Sequence, residues 1–222
     1  MSQRNLFTPL LVIAFLISGS ASRSTFAEDK NQKPSESEEP SLHYTLKVGE
    51  KSVAIREGEA VRVDGEFNNP EVTITAQPYR EFPYQGVSFK YPRTFTFEAN
   101  VDNENFKNWT LSGNDFKIMY FVANGRLTTD EFADNLIDQF GRENCQTVKT
   151  APLKFGDKQL TGTTLNVVVA GNKMVVNVYL VPVNETQTRL LVLQDNLDDA
   201  GNRSAEGKAT LELLSQSAKL TP

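Results

Sequence analysis

The sequence contains few of the side chains on which nucleophilic or acid-base catalysis usually depends. Its 222 residues include one histidine, His43, and one cysteine, Cys145. A Ser-His-Asp or Cys-His mechanism would have to use His43, and no spacing in the sequence places a partner beside it. We therefore expect no catalytic residues and no enzymatic activity. A hydrolase that uses carboxylates without histidine is an alternative, because a sequence gives no distance between carboxylates.

Cys145 follows the first predicted helix and lies close to Arg142 in the sequence. A nearby cation can lower the pKa of a thiol and make it reactive, but the spacing of Cys145 matches no redox motif. We therefore expect a buried, inert thiol. A zinc site is disfavoured, because one histidine and one cysteine leave two ligands to be supplied by carboxylates. A single cysteine also excludes an intramolecular disulfide, and we expect no cofactor.

Hard oxygen ligands are concentrated in one predicted loop near the C-terminus. Asp195, Asp198 and Asp199 lie there together with Asn196 and Asn202. Carboxylate and amide oxygens suit calcium, but this order departs from the alternating Asp-x-Asp-x-Asp-Gly pattern of calcium loops. Asx residues also start turns and cap helices. The three aspartates are therefore the candidate metal ligands, and a structural role in the loop is the alternative.

Two β-branched runs on either side of Gly171-Asn172 form the centre of the predicted fold. Glycine supplies the positive φ that a two-residue hairpin turn requires, so this pair predicts the position of the turn. The position of the turn then fixes which residues of the two strands face one another. The expected facing pairs are Val169 with Met174, Val167 with Val176, Leu165 with Val178 and, on the other face, Asn166 with Asn177.

Two helices are expected to pack on the sheet that has this hairpin at its centre. Thr128 and Glu131 form a capping box that predicts a helix over 128–140, and a closing helix is predicted over 204–219. Strands, a helix, further strands and a second helix in this order predict an α+β domain over 84–222. We expect a mostly antiparallel sheet packed with two main helices.

A small β-meander is predicted before this domain. Short runs of alternating apolar and polar residues, separated by turn residues, predict strands over 43–48, 52–55, 60–63 and 72–75. Aromatic residues interleaved with proline follow at Tyr79, Phe82 and Tyr84. We expect this aromatic joint, which completes a region over 42–83, to pack between the two parts of the protein, although a ligand surface is the alternative.

The N-terminus has the order of a secretory signal peptide. Arg4 precedes a run of eight apolar residues, 10–17, and small residues follow. This predicts a signal peptide over 1–27, with cleavage after Ala27 or Ser22, and a secreted or periplasmic protein. No later run is long enough to span a bilayer. Residues 28–41 are acidic and have no apolar side chain other than proline rings, which predicts a disordered tether.

The charge of the mature chain argues against nucleic acid as a partner. The full chain has a formal net charge of −5, and removal of residues 1–27, whose charged side chains are Arg4 and Arg23, gives −7. An acidic protein is repelled by phosphate backbones and by anionic membrane surfaces. We therefore expect a protein partner from outside the cytoplasm.

Several segments together resemble the PsbP-like superfamily, which includes PsbP and the DcrB-like envelope proteins. They are the Gly-Val-Ser-Phe-Lys-Tyr-Pro segment at 86–92, the strand around Trp109, the helix start at 127–131, the glycine-centred hairpin and a C-terminal helix with Ser217 near its end. The resemblance covers about residues 86–220. It implies an antiparallel sheet between helices and a non-catalytic accessory or protein-binding role. The sequence departs from the DcrB-like members in lacking a lipidation cysteine.

These observations favour a secreted or periplasmic, non-catalytic accessory protein that binds another envelope protein. A carrier or sensor of a small ligand or of calcium, using the acidic loop 195–202 or a cleft beside the meander, is the alternative from a different class.

Overall fold

A computed structural model describes residues 35–182 and 186–220, and the structural statements below refer to these ranges. The described residues fall within one compact unit. The predicted signal peptide over 1–27 and residues 28–34 of the predicted tether lie outside them. Within the described ranges, no helix is both long and apolar enough to cross a membrane.

The described chain alternates short hairpins with two helices. In chain order the elements are β1 (His43–Val48), β2 (Lys51–Arg56), β3 (Val72–Ala76), β4 (Tyr79–Phe82), β5 (Val87–Pro92), β6 (Thr96–Asn100), β7 (Phe106–Ser112), β8 (Phe116–Asn124), α1 (Thr129–Phe140), a 3₁₀ turn (Arg142–Asn144), β9 (Cys145–Val148), β10 (Leu153–Phe155), β11 (Lys158–Leu160), β12 (Gly162–Val169), β13 (Asn172–Val181), β14 (Gln187–Asn196), α2 (Ala205–Ser217) and β15 (Lys219–Leu220).

The main sheet has seven strands in the order β6-β7-β8-β14-β13-β12-β9, and every neighbouring pair is antiparallel. Both faces are covered, because successive residues of a strand point to opposite sides. In β14, Leu190 and Val192 pack in the cluster that contains Ala133 of α1, whereas Leu191 and Leu193 pack in the cluster that contains Leu214 of α2. The expected α+β fold, a mostly antiparallel sheet with two helices, is confirmed.

The second face of the main sheet also carries the hairpin formed by β4 and β5. Phe82 and Tyr84 of the predicted aromatic joint are buried in this core, at 0% and 4% exposure. Phe82 stacks on Phe89 and meets Trp109 edge-on, with ring centres 4.8 Å and 5.9 Å apart. Aromatic packing of this kind favours offset and edge-to-face contacts, and it fixes the hairpin on the sheet.

The central hairpin forms, but its register was predicted wrongly by two residues. Its turn is Ala170-Gly171, with φ of 50° and 83°, the positive values that a primed turn requires at both positions. The observed facing pairs are Val169 with Asn172, Val167 with Met174, Leu165 with Val176, Asn166 with Val175, Thr164 with Asn177 and Thr163 with Val178. A shift of two residues preserves the faces, so the apolar set expected inside remains inside.

A buried polar contact accompanies the observed register. Thr164 Oγ1 donates to Asn177 Oδ1 at 3.0 Å, and both side chains are almost fully buried. The predicted register would have placed Asn166 opposite Asn177 and moved Thr164 two residues away. Buried polar groups are costly unless they are paired, so this contact favours the observed alignment.

Both helices begin where the sequence predicts. Thr128 Oγ1 accepts from the backbone N–H of Glu131 at 3.1 Å, and the Glu131 carboxylate accepts from the backbone N–H of Thr128 at 2.9 Å, which confirms the capping box. Helix α2 ends at Ser217, earlier than the predicted residue 219, because Ala218 is extended and the chain then pairs with β5.

The region predicted as a meander is a separate three-stranded antiparallel sheet in the order β2-β1-β3. In a meander the third strand would lie beside the second, whereas β3 returns to the free side of β1. The predicted strand over 60–63 does not form, and residues 57–71 instead make the long connection from β2 to β3. The strand order therefore corrects the predicted meander and leaves β3 at an edge.

Candidate protein-binding surface

Asp195 is a buried structural carboxylate and does not lie in a loop. Strand β14 continues through Asn196, and the Asp195 side chain is 0% exposed. Its carboxylate accepts a hydrogen bond from Ser204 Oγ at 2.7 Å and forms an ion pair with Arg203 at 3.1 Å. Ser204 in turn caps α2 by accepting from the Gly207 N–H at 2.8 Å. Asp195 therefore ties the end of the central strand to the start of the second helix.

The other two candidate ligands serve the turn after β14. Asp198 accepts from the backbone N–H of Asn202 at 2.7 Å and from its side-chain amide at 2.9 Å. These bonds lower the pKa of the Asp198 carboxyl. The backbone carbonyl of Asp199 accepts from Lys173 Nζ at 2.6 Å. In the described part of the chain, no group of three or more His, Cys, Asp or Glu side chains is placed to hold a metal ion.

His43 and Cys145 are not arranged as activated catalytic groups. Burial, with Arg56 nearby, lowers the pKa of His43, and its ring lies 6.4 Å from that of Tyr79. Burial and the neighbouring Glu143 raise the pKa of the Cys145 thiol, while Arg142 pairs with Asp138 at 3.0 Å. The cation that the sequence places near the thiol is thus engaged elsewhere, and the protonated form of Cys145 is favoured.

Two depressions on the described surface do not suit a small apolar ligand. One of about 560 Å³ opens beside the turn between β1 and β2, and one of about 200 Å³ opens beside the turn between β7 and β8. Polar and charged residues dominate both linings, and both are open to solvent. Small-molecule sites are usually enclosed and mostly apolar, so neither depression supports the carrier hypothesis.

One face of the three-stranded sheet is apolar on all three strands. The cross-strand register places Tyr44 and Leu46 of β1 between apolar partners on β2 and β3. Val48, at the end of β1, lies between Val72 on β3 and Lys51 on β2. We call this surface the small-sheet face. Its members are Tyr44, Leu46, Val48, Val53, Ile55, Val72, Ile74 and Ala76. None of them belongs to either core cluster of the protein.

The small-sheet face is most exposed at its edge strand, β3. Val72 is 57% exposed and Ile74 is 61% exposed, the highest values among the large apolar side chains in the described residues. The remaining members are half-buried. The connection 57–71 adds Val61 and Phe67, each 39% exposed. Contiguous apolar surface of this kind marks interaction sites in soluble proteins.

The outer edge of β3 also presents unpaired backbone groups. Glu71 C=O accepts from Gly49 N–H, and Gln77 N–H donates to His43 C=O, so the odd-numbered residues bond toward β1. In an antiparallel strand the alternate residues point the other way. Val72 and Ile74 therefore direct their N–H and C=O groups outward, and no strand of the described ranges pairs with that edge. Val72 and Ile74 therefore present both free backbone hydrogen-bonding groups and exposed apolar side chains.

Sequence reasoning found the strands of this surface but missed the surface itself. The signal was present: all three runs alternate apolar and polar residues, which predicts a sheet with one apolar face, and no amphipathic helix follows nearby to cover it.

The sequence matches no known protein family. No curated protein matches it either. Among solved structures, the fold is similar to the crystal structure of LpqN, described as involved in cell envelope biogenesis of Mycobacterium tuberculosis. The TM-score is 0.40 at 11% identity, and the alignment covers 66% of this chain and 93% of LpqN. A likeness this distant carries no argument about function, and the PsbP-like resemblance is not confirmed.

Proposed function

We propose that this chain is a non-enzymatic accessory protein of the extracytoplasmic space, which binds an extended segment of another envelope protein through β3. The observation that carries the proposal is the coincidence of a free strand edge with exposed apolar side chains at Val72 and Ile74. In strand addition, main-chain hydrogen bonds give affinity and alternate side chains give specificity. Both components are present on these two residues.

The chemistry of β3 defines the partner segment. The strand Val72–Ala76 contains no charged residue and no proline, so an extended backbone can align along its whole length. The partner side chains beside Val72 and Ile74 should be apolar, since they would continue the small-sheet face. Covering the exposed parts of these two side chains would contribute about 2 kcal/mol. Further affinity would come from the edge hydrogen bonds.

Two further observations support a binding role over catalysis. The thiol of Cys145 has a raised pKa, and within the described residues the ring of His43 makes no hydrogen bond with an acid-base partner. The extracytoplasmic location rests on the N-terminal sequence pattern, with its basic start, short apolar run and small residues.

Site-specific photo-crosslinking from neighbouring residues of β3 tests the proposal. A photo-reactive amino acid is placed at Ile74, on the small-sheet face, or at Thr75, on the opposite face. Both residues are exposed, so they form a matched pair. Crosslinking is carried out in the native extracytoplasmic fraction. We expect a discrete crosslinked partner from Ile74 and a much lower yield of that product from Thr75.

Charge substitutions at the same two positions provide the second arm. Ile74→Asp should abolish recovery of that partner, and Thr75→Asp should leave it intact, because only the former places a carboxylate on the binding face. Equal crosslinking from both positions, or recovery of the same partner by the Ile74→Asp protein, would contradict binding through β3.

A further inference from the structure

The first described residues of the chain lie along a row of side-chain donors, which we call the groove, although their composition predicts disorder. We call residues 35–40, Ser-Glu-Ser-Glu-Glu-Pro, the N-terminal strap. Trp109 Nε1–H donates to the Glu36 carbonyl at 2.7 Å, and Tyr84 O–H donates to the Glu38 carbonyl at 2.6 Å. Arg80 donates to the Pro40 carbonyl. For this part of the predicted tether, long-range hydrogen bonds replace the expected disorder.

Charged contacts add to these backbone contacts. The Glu36 carboxylate accepts from Lys107 Nζ at 2.9 Å and from Gln85 Nε2. The Glu39 carboxylate pairs with Arg80 at 3.2 Å. The body of the protein contributes five side-chain donors, and the strap contributes the acceptors at each of these contacts. A groove of this kind selects a ligand rich in carboxylates and free carbonyls.

The donors are held in place by the core beneath them. Trp109 is 0% exposed, and its ring stacks on that of Tyr84 with centres 5.9 Å apart and planes 10° apart. Burial, together with Glu38 and Glu36, raises the pKa of Tyr84 to about 12, so its hydroxyl remains a donor at physiological pH. Preorganised donors lose little conformational entropy when a ligand binds.

Arg80 and Tyr91, which face one another on β4 and β5, each have a buried polar atom without a hydrogen-bond partner. Tyr91 is 0% exposed, and neither its hydroxyl nor Arg80 Nε has a hydrogen-bond partner in the described structure. Arg80 is itself mostly buried, with a side-chain exposure of 14%. Buried polar groups without partners are uncommon in proteins. Arg80, which already contacts the strap, therefore keeps a donor that no group of the strap satisfies.

We propose that this groove is a binding site for short acidic peptide segments, and that the N-terminal strap occupies it as a resident ligand. An acidic segment of another protein would compete with the strap for the same donors. The strap belongs to the same chain as the groove, so its effective concentration there is high. An acidic segment of another protein must therefore displace the strap before it can bind. This site is separate in residues and chemistry from the small-sheet face, and it does not depend on the function proposed for β3.

The fluorescence of Trp109 provides a direct readout, because it is the only tryptophan in the chain and its N–H contacts the strap. In the full mature chain, Glu36→Ala combined with Glu39→Ala removes both charged contacts of the strap. Glu38→Ala is the control, since the hydrogen bond that its carboxylate makes in the described residues is to the Ser35 N–H, within the strap. We expect a red-shifted emission in the double variant and unchanged emission in the control.

A synthetic peptide with the sequence of residues 34–41 is then added in trans. The peptide should restore the emission of the double variant in a saturable manner. Its apparent affinity for the parent protein should be weaker than its affinity for the double variant by about tenfold or more, because the resident strap competes in the parent. A peptide with every glutamate replaced by glutamine should bind much more weakly to the double variant.

Three results would overturn the proposal. They are an unchanged emission in the double variant, a peptide without effect at millimolar concentration, and equal binding of the glutamine peptide. If the double variant does not fold, the single variants Glu36→Ala and Glu39→Ala each remove one charged contact of the strap, leave all five donors in place and allow the same titration. Loss of partner binding through β3 in the Ile74→Asp protein, with this titration unchanged, would separate the two sites.

Discussion

Replacement of Asp195 by alanine should destabilise the protein strongly, because this candidate metal ligand acts as a structural ion-pair partner. Its carboxylate is 0% exposed and lies between Arg203 Nη1, at 3.1 Å, and Ser204 Oγ, at 2.7 Å. Removing it leaves a guanidinium without its counter-charge and a helix-capping hydroxyl without its acceptor. The end of β14 and the start of α2 would then lose their polar connection.

The size of the effect follows from the burial of the two partners. Breaking a buried ion pair costs about 3–5 kcal/mol when the remaining charge has no partner. The side chain of Arg203 is 33% exposed, so water can solvate part of its charge. We therefore expect the lower end of that range, a loss of about 3 kcal/mol in the free energy of unfolding. For a chain of this size, that corresponds to about 10 °C in Tm.

Urea unfolding followed by Trp109 fluorescence measures the change, with Asp198→Ala as the control. Asp198 is exposed and bonds to Asn202 within its own turn, so its removal should leave the unfolding midpoint nearly unchanged. A cycle that adds Arg203→Ala should show that Asp195 and Arg203 are coupled, because neighbouring partners are not additive. Equal small losses in the Asp195→Ala and Asp198→Ala proteins would refute the structural role assigned to Asp195.

Three further predictions concern the core, the first helix and metal binding. Val167→Asp should abolish folding, because Val167 is 1% exposed and faces Met174, whereas Asn166→Ala should be mild; circular dichroism and thermal melting distinguish the two. Thr128→Ala should lower Tm through loss of the α1 cap. The hydrogen bonds to its carboxylate lower the pKa of Glu131, so their contribution is present above the ordinary glutamate pKa and is lost as pH falls through the lowered value. The difference in Tm between the parent and the Thr128→Ala protein should therefore become smaller in acid, although Thr128 Oγ1 still accepts from the Glu131 N–H there. Excess calcium or EDTA should leave Tm of the mature chain unchanged, and a clear rise with calcium would restore the metal-binding alternative.

Local signals in the sequence were sufficient for the elements whose structure is set by near neighbours. Thr128 and Glu131 lie three residues apart, and they form the predicted capping box because both partners belong to the first turn of α1. The central hairpin was also predictable, but its turn was not. Ala170 adopts a positive φ that alanine rarely takes, so composition favoured a turn one residue later.

Features that depend on distant residues could not be predicted in this way. Asp195 shares its face of β14 with Leu191 and Leu193, and continuing that alternation by two residues would have placed it in the strand. Its partners, however, come from the start of α2. The N-terminal strap is a stronger case, because its composition predicts disorder and its order comes from donors such as Trp109, more than seventy residues away.

The strand edges of this protein differ in how they are protected, and the difference supports a binding role for β3. Exposed edges invite pairing with other chains, so proteins shorten them or place charges on them. In the main sheet, β9 has four residues and β6 carries Glu98 at its centre. In the small sheet, β2 begins with Lys51 and ends with Arg56. Strand β3 lacks charge and proline over five residues and exposes Val72 and Ile74. An unprotected edge beside protected ones is the pattern expected of a surface that another polypeptide covers in the working protein.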